Sequence, residues 1–231
     1  MAAPDLLILL AMFERVEVVG RGRVGHALAE RLAAQGRLAA GSGEPDLILL
    51  CVPDAAIADV ARATDVGPWM AHVSGATSLS ALDPHSTRFG LHPLQTFTHA
   101  RGAEQLDGAF AAVVAETADA RQAGRALAAL LGLRPFDLAD DRRPLYHAGA
   151  VMASNYLVTL YRSAARALEQ AGAPPEALVP LMLRTIENGF ELTGPIARGD
   201  WATVEAHLRA LDADLPDLLP VYRELARLTT R

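Results

Sequence analysis

The pattern of apolar and polar positions changes about two thirds of the way along the chain. Up to about Asp141, short apolar runs alternate with segments of helical periodicity, and beyond it only helical periodicity remains. Alternating strands and helices are typical of a mainly parallel sheet with helices on both sides. The predicted strands are Arg15–Val19, Asp46–Val52, Trp69–Val73, Arg88–Leu91, Ala109–Val114 and Arg134–Leu138. The predicted helices of this part are Val24–Ala34, Ala55–Ala63 and Thr117–Leu131.

The remaining part of the chain is predicted to be entirely helical. Its four expected helices are Pro144–Gln170, a segment from about Pro175 to Leu192 with a kink at Pro180, Trp201–Leu211 and Leu215–Leu228. We therefore predict an α/β Rossmann-type doubly wound domain over 13–140 and a helical substrate and dimerisation domain over 141–231. Leu6–Ala11 is too short to span a bilayer and lacks the basic residues of a signal peptide, so we expect the fold to begin near Met12.

A glycine motif follows the first predicted strand. Gly20-Arg21-Gly22-Arg23-Val24-Gly25 matches G-x-G-x-x-G and opens the first predicted helix, which is the context in which this motif binds dinucleotides. The first glycine permits a tight turn, the second admits a pyrophosphate, and the third lets helix and strand pack closely. The amides at the helix N-terminus then face the anion. A glycine-rich turn without a ligand is the weaker alternative.

The second strand of such a fold usually ends in an acidic residue that binds the adenosine ribose. Here only Arg37–Ala40 remains for that strand, and Gly41-Ser42-Gly43-Glu44 follows directly. The predicted ribose pocket is therefore abbreviated and lacks the aspartate that NAD prefers. Arg21 and Arg23 could contact a 2′-phosphate, which favours NADP, with NAD as the alternative.

Polar clusters follow several of the strands, at the sheet edge where ligands of doubly wound folds bind. Val52-Pro53 and Ser74-Gly75 end two strands and are predicted to contact the cofactor. His92 ends another, before Pro93, and is a candidate catalytic residue. Four further histidines, His26, His85, His99 and His207, are predicted to lie on the surface.

The first predicted helix of the second domain carries polar residues among small and apolar ones. His147, Val151 and Asn155 are spaced i, i+4 and i+8, which places them on one helix face. We interpret this face as lining a substrate cleft, although a solvated stripe is the alternative. His147 and Asn155 are therefore further candidate catalytic residues, with Ser154 at the edge of the face.

Composition narrows the possible chemistry. The net charge of −6 favours neither nucleic acid nor an anionic membrane as a partner. All 21 basic residues are arginines, so lysine cannot serve as acid, base or Schiff-base former. The single cysteine, Cys51, lies in an apolar run and indicates no disulfide framework, which fits the cytoplasm. No metal site is predicted.

Four segments together carry a family resemblance: GRGRVG at Gly20, GLHPLQTF at Gly90, YHAGAVMASNYLVTL at Tyr146 and LTGPIARGDWATVEAHL at Leu192. They resemble Rossmann-like bacterial proteins with a C-terminal helical domain of uncharacterised function. Their layout is similar to that of the 6-phosphogluconate and β-hydroxyacid dehydrogenase group, pyrroline-5-carboxylate reductase, and conventional and alternative ketopantoate reductases. The hydroxyacid dehydrogenases carry a lysine four residues before an asparagine. Asn155 matches the asparagine, but Val151 stands where the lysine would be.

The resemblance implies an NADP-dependent oxidoreductase of a small oxo or hydroxy acid, with ketopantoate as the favoured substrate. His92 is the favoured proton donor over His147, and activity is then expected to fall as pH rises through about 6.5. The alternatives are a noncatalytic nucleotide-binding protein and, from the similarity of His92-Pro93 to the His-Pro of prephenate dehydrogenases, an enzyme of that kind. Apolar helices at Ser154–Ala165 and Ala177–Leu183 predict a homodimer.

Overall fold

The computed structural model of the chain describes residues 12–39 and 43–229. The chain forms two compact units that divide between Val151 and Met152. This division comes later than the boundary expected after residue 140, because most of the helix Arg143–Ala153 belongs to the first unit. Leu6–Ala11 and the tip of the Gly41-Ser42 loop lie outside the described residues.

The first unit contains a six-stranded sheet whose strands lie in chain order. Its strands are β1 (Val16–Val19), β2 (Leu47–Leu50), β3 (Trp69–His72), β4 (Arg88–Pro93), β5 (Phe110–Val114) and β6 (Arg134–Asp137). Only the β4–β5 pair is antiparallel, and the other four pairs are parallel. The prediction of a mainly parallel sheet is confirmed, and β4 continues through His92 and Pro93 instead of ending at Leu91.

Helices cover both faces of the sheet. They are α1 (Arg23–Ala34), α2 (Ile57–Ala63) and α3 (Ala118–Leu130). The four residues of β2 are all buried and alternate between the two cores: Leu47 and Leu49 belong to the core that includes α1 and α3, whereas Ile48 and Leu50 belong to the core that includes α2. A strand covered on both faces needs a continuous apolar run, which is the pattern that β2 shows.

The abbreviated second strand is reduced to a single bridge beside β1. Leu38 pairs with Val16 in the parallel direction, and the Val16 amide donates to the Arg37 carbonyl at 2.8 Å while the Ala39 amide donates to the Val16 carbonyl at 2.8 Å. The chain then returns to the sheet at β2, with no helix in the described residues between this bridge and β2. The sequence prediction of a short second strand without its helix agrees with this arrangement.

Helix α4 (Arg143–Ala153) connects the first unit to four helices that follow it. These are α5 (Asn155–Gln170), α6 (Leu178–Glu187), α7 (Trp201–Asp214) and α8 (Leu219–Thr229). The prediction of one helix over Pro144–Gln170 is wrong, because the chain forms two helices separated by a turn at Ser154, whose φ of −119° and ψ of −72° depart from regular helical values. Helix α6 ends well before Leu192, since Gly189 and Phe190 both take positive φ angles.

The described residues contain no helix that is both long enough and apolar enough to cross a membrane.

Candidate functional site

The ends of the four parallel strands β1 to β4 lie side by side at one edge of the sheet, as their order and direction require. Specific contacts join the segments that follow these strands. The Cys51 amide after β2 donates to the Val19 carbonyl of β1 at 2.7 Å. Farther along, the Ser74 hydroxyl after β3 donates to Asp54 after β2 at 2.9 Å. The polar clusters predicted from the sequence therefore form one continuous edge.

The glycine loop between β1 and α1 has the geometry that its sequence predicts. Gly20 has a φ of 101° and its missing side chain would lie 2.5 Å from the Cys51 carbonyl oxygen. A Cβ on Gly25 would lie 2.1 Å from the Gly20 carbonyl oxygen and 2.9 Å from the Cys51 side chain. No larger residue fits at either position, so the turn and the close helix–strand packing both depend on glycine.

Gly22 differs from its two neighbours because a Cβ there would meet nothing within 4 Å. It is the N-cap residue of α1, and it offers no side chain to cap the helix. The first turn of α1 has no acidic residue, and Arg21 and Arg23 beside it are exposed. Uncapped amides, the positive end of a helix dipole and open space form a site that fits an anion such as a pyrophosphate. Val24 is half-buried and packs on the core.

The cluster after β3 uses most of its hydrogen-bonding capacity inside the protein. The Ser74 oxygen accepts from the amides of Ala76 and Thr77 at 3.2 and 3.0 Å while its hydroxyl contacts Asp54 and Thr77. Ser74 is buried, so its side chain holds the shape of this turn. Of the other residues predicted to contact the cofactor, Val52 is half-buried and Pro53 is exposed after β2.

A buried arginine fastens the first turn of α4 to this edge. Arg143 is 1% exposed, and its Nη1 donates to the Ser74 carbonyl at 2.7 Å while its Nε donates to Asp140 at 2.7 Å. A Cβ on Gly90 of β4 would lie 2.0 Å from Arg143 Nη2, so the guanidinium passes directly over that glycine. Because a buried charge needs a partner, Asp140 and Arg143 are fixed together.

This fixed helix carries two aromatic rings onto His92. The Tyr146 hydroxyl and His92 Nδ1 are hydrogen-bonded at 2.8 Å, with their rings edge to face at 5.5 Å. The His147 ring stacks on His92 at 6.0 Å and 23°. On the side of its other nitrogen, a Cβ on Gly75 would lie 2.8 Å from His92 Nε2. The structure thus brings His92 and His147 together, as the sequence predicts, and adds Tyr146 and Gly75.

The protonation of this cluster differs from the sequence expectation. Burial, together with the neighbouring His147 and Arg143 and against the attraction of Asp54, lowers the pKa of His92 to about 4. Burial raises the pKa of the Tyr146 hydroxyl to about 12. Near neutral pH the histidine is therefore uncharged and the tyrosine keeps its proton. The expectation of an ordinary His92 pKa near 6.5 is therefore wrong, and the role of His92 as a proton donor stays a prediction.

One of the four histidines predicted on the surface is buried. His85, predicted on the surface, is 1% exposed, and its Nε2 lies 2.9 Å from the Ala61 carbonyl oxygen. The turn from Asp83 to His85 looks polar in sequence, but this ring fills space beside α2. His26, His99 and His207 are exposed as predicted. In the second unit Asn155 is exposed and begins α5, so it lies on a different helix from His147 and Val151.

A groove of about 700 Å³ lies at the opposite, amino-terminal end of the strands. Its described lining includes the carboxylates Glu17, Glu44, Asp46 and Asp65. A phosphate or pyrophosphate would be repelled by this charge. The edge formed by the glycine loop, Ser74 and His92 is therefore the candidate site.

Comparison with solved structures places this geometry in the Rossmann-type class. A Bacteroides fragilis protein provisionally named an NADP oxidoreductase is 22% identical, with a TM-score of 0.77 over 94% of this chain and 98% of its own. Protein TM1727 of Thermotoga maritima is 23% identical, with a TM-score of 0.73 over 92% and 96%. A reductive aminase from Aspergillus terreus, in complex with NADPH and ethyl levulinate, is 16% identical, with a TM-score of 0.65 over 93% and 92%. These similarities show the fold.

The sequence also identifies a family. A family model described as a domain of unknown function, DUF2520, matches residues 109–229, which is more than half of the chain. The chain therefore belongs to the DUF2520 family. Comparison with curated proteins gave no match.

Proposed function

We propose that the protein is an NAD(P)-dependent oxidoreductase. The observation that carries this proposal is the open position at Gly22, at an uncapped helix N-terminus between two glycines that the packing requires. The α1 amides would hold the pyrophosphate there. When bound, a reduced nicotinamide supplies a hydride to the substrate. The solved structures of similar fold support the same class, since two of them are named as an NADP oxidoreductase and an NADPH complex.

Within this proposal NADP is the favoured cofactor. Arg21 and Arg23 are exposed beside the loop, and no acidic residue stands at the end of the short second strand in the described residues to bind a ribose 2′-hydroxyl. Arginine is suited to a 2′-phosphate because its planar guanidinium donates several hydrogen bonds. We further propose a small oxo or hydroxy acid as the substrate, in line with the resemblance to ketopantoate reductases.

The test is a thermal-shift titration of the purified protein with NADPH, NADH, NADP⁺ and NAD⁺. A nucleotide at 100 times its dissociation constant stabilises the folded state by about 2.7 kcal/mol. The variant Gly22→Asp places a carboxylate where the pyrophosphate would lie, and we expect it to abolish the shift. Gly67→Asp is the matched control, because Gly67 is also exposed with nothing within 4 Å of a Cβ.

Three outcomes would contradict parts of the proposal. Absence of any shift in the parent protein would refute cofactor binding altogether. An equal shift in the parent and in Gly22→Asp would place the nucleotide elsewhere. If the double variant Arg21→Gln/Arg23→Gln binds NADPH as tightly as the parent does, the two arginines do not read a 2′-phosphate.

A noncatalytic nucleotide-binding protein is the second candidate. It is favoured by the reduction of the second strand to the single bridge at Leu38 and by the valine at position 151, where the hydroxyacid dehydrogenases have lysine. The two candidates differ in one result: both bind nucleotide, but only the oxidoreductase consumes NADPH with an oxo acid.

We also propose that the protein is a homodimer through its helical unit. In the described residues from 152 to 229 only four apolar side chains are buried, Leu178, Val204, Leu218 and Leu219. Helix α5 has no buried residue at all, and Val158, Leu160, Leu181 and Leu183 are each more than a third exposed. Exposed apolar surface of this extent on one unit is typical of an interaction surface. The partner we propose is a second copy of this chain, which is present in any purified preparation.

A further inference from the structure

The hydroxyl group of Tyr146 lies at the sheet edge, hydrogen-bonded to His92. It lies on the first turns of α4, three residues after the buried Arg143, and contacts a histidine that the fold itself fixes in β4. We propose that Tyr146 is the residue that donates the proton to the substrate oxygen, with His92 as its positioning residue. This inference rests on the proposed oxidoreductase function.

Three sets of interactions fix the position of Tyr146. His92 Nδ1 lies 2.8 Å from its hydroxyl oxygen, the Phe136 ring packs against the tyrosine ring at 5.9 Å, and Arg143 anchors the helix turn through Ser74 and Asp140. A group held in this way loses little conformational freedom when substrate binds, which is what a proton donor requires. Two of the three catalytic residues predicted from the sequence, His92 and His147, are its neighbours.

The direction of the hydrogen bond between His92 and Tyr146 determines whether the tyrosine hydroxyl can donate its proton to a ligand. Neutral imidazole carries one proton, and when that proton is on Nδ1 the ring donates to the Tyr146 oxygen. The hydroxyl hydrogen is then free to point toward a ligand. His92 Nε2 remains as an acceptor on the side of Gly75, where a Cβ would come within 2.8 Å of it.

His147 gives an independent indication of a ligand at this place. Both of its ring nitrogens are buried and have no hydrogen-bond partner among the residues the structure describes. An imidazole in that state has lost its hydrogen bonds to water without replacement, which is unfavourable unless a ligand supplies new partners. Because the His147 and Tyr146 rings both contact His92, a polar ligand beside Tyr146 would also lie close to His147.

The proposed step balances as an ordinary carbonyl reduction. The carbonyl carbon of the oxo acid receives a hydride with its electron pair, and the C=O π electrons move onto the oxygen. That oxygen takes the Tyr146 proton as the O–H bond of the tyrosine breaks. His92 keeps its Nδ1 proton and donates that hydrogen bond to the phenolate, which then recovers its proton from solvent. The net consumption is one reduced nicotinamide and one solvent proton for each alcohol formed.

The experiment compares Tyr146→Phe with Tyr156→Phe, a matched control in which an exposed tyrosine of the helical unit loses its hydroxyl. Oxidation of NADPH is followed with ketopantoate and a panel of 2-oxo acids. We expect Tyr146→Phe to lower kcat by roughly 10²–10⁴-fold with the NADPH dissociation constant unchanged, and Tyr156→Phe to match the parent. A Tyr146→Phe variant within threefold of the parent would overturn the proposal.

The pH profile separates Tyr146 from His92 as the acid. A tyrosine with its pKa raised to about 12 stays protonated, so kcat should be level from pH 6 to 9. If His92 were the acid, kcat would fall as pH rises above its pKa of about 4. For the positioning role, His92→Gln should lose less kcat than Tyr146→Phe, because glutamine retains a donor for the hydroxyl. A His92→Gln loss equal to or greater than that of Tyr146→Phe would contradict this assignment.

A readout without turnover completes the test. With tyrosine labelled at the ring carbon that bears oxygen, the Tyr146 resonance is assigned from its absence in Tyr146→Phe. Addition of oxamate, an unreactive 2-oxo acid analogue, with NADP⁺ should shift that resonance and leave the one of Tyr156 unchanged. An unshifted Tyr146 resonance refutes the proton-donor proposal, whereas failure of NADPH to stabilise the parent protein refutes the proposed function itself.

Discussion

The buried guanidinium of Arg143 leads to a prediction about stability. Its only carboxylate partner in the described residues is Asp140, whose Oδ1 accepts from Arg143 Nε at 2.7 Å. The same carboxylate accepts from the Ser78 hydroxyl at 2.6 Å and the Leu79 amide at 3.2 Å. Asp140→Asn keeps an oxygen for Arg143 and Leu79, and its amide can donate to Ser78. The substitution therefore removes a charge and little else.

The expected loss follows from the burial of the two partners. Removing one partner of a buried ion pair costs about 3–5 kcal/mol because the other charge stays buried and unpaired. The Asp140 side chain is 34% exposed whereas that of Arg143 is 2% exposed, and solvent reduces the effect of the carboxylate. With the hydrogen bonds retained, we expect Asp140→Asn to lower the free energy of unfolding by roughly 2–3 kcal/mol.

The assay is urea denaturation followed by circular dichroism at pH 7. Asp137→Asn is the matched control, because Asp137 pairs with Arg125 at 2.8 Å but both side chains are more than 40% exposed. A surface pair of this kind contributes about 0–1 kcal/mol. If Asp140→Asn and Asp137→Asn lower the free energy of unfolding equally, the argument that the buried guanidinium requires its counter-charge is refuted.

Acid titration of the parent protein examines the same pair. Burial pushes the Asp140 pKa upward, but hydrogen bonds from Ser78, Leu79 and Arg143 outweigh it and hold that pKa below its usual range. A carboxyl whose pKa is depressed in the folded state stabilises the protein above its unfolded pKa of about 3.9. That stabilisation should be lost as pH falls below 3.9 and through the folded pKa. Asp140→Asn should lack this component of the acid-induced loss, and an identical acid profile in both proteins would contradict it.

Two further predictions concern packing and assembly. Gly25→Ala, whose Cβ would lie 2.1 Å from the Gly20 carbonyl oxygen, should lower the free energy of unfolding by about 1–3 kcal/mol or more. Gly22→Ala, whose Cβ would meet nothing within 4 Å, should lower it by no more than about 1 kcal/mol through the poorer N-cap. Equal losses in the two variants would refute the packing argument. Light scattering of the parent protein should give twice the 24.5 kDa chain mass. Leu181→Glu should yield monomers, whereas Val66→Glu, a substitution at an exposed residue of the first unit, should leave the dimer intact. A monomeric parent at micromolar concentration would rule out the proposed dimer.

Periodicity predicted the sheet and its helices because each signal was local. The run at Leu47–Leu50 is continuous in apolar residues since both faces of that strand are covered, and nothing distant is needed to recognise it. The break at Ser154 could not be found in this way. Ala153, Ser154 and Asn155 all occur in helices, and neither glycine nor proline marks the point where α4 ends. The face drawn through His147, Val151 and Asn155 depended on a continuous helix, and the assignment of Asn155 stays a prediction.

Tyr146, the proposed proton donor, could not be predicted from local sequence patterns. The sequence favours His92 because it ends a strand at the ligand-binding edge and because an imidazole ordinarily titrates near neutral pH. That titration depends on contact with solvent, and burial beside His147 and Arg143 lowers the His92 pKa to about 4. Tyr146 stands next to His147 in the sequence and shows no motif of its own. Its position follows from Arg143, and the burial of that arginine depends on Gly90 leaving room for the guanidinium. A glycine in β4 and an arginine in α4 are 53 residues apart, so only the folded chain reveals that together they place a tyrosine hydroxyl on His92. Because a Cβ at position 90 would lie 2.0 Å from Arg143 Nη2, Gly90→Ala should displace Arg143 and reduce kcat as Tyr146→Phe does.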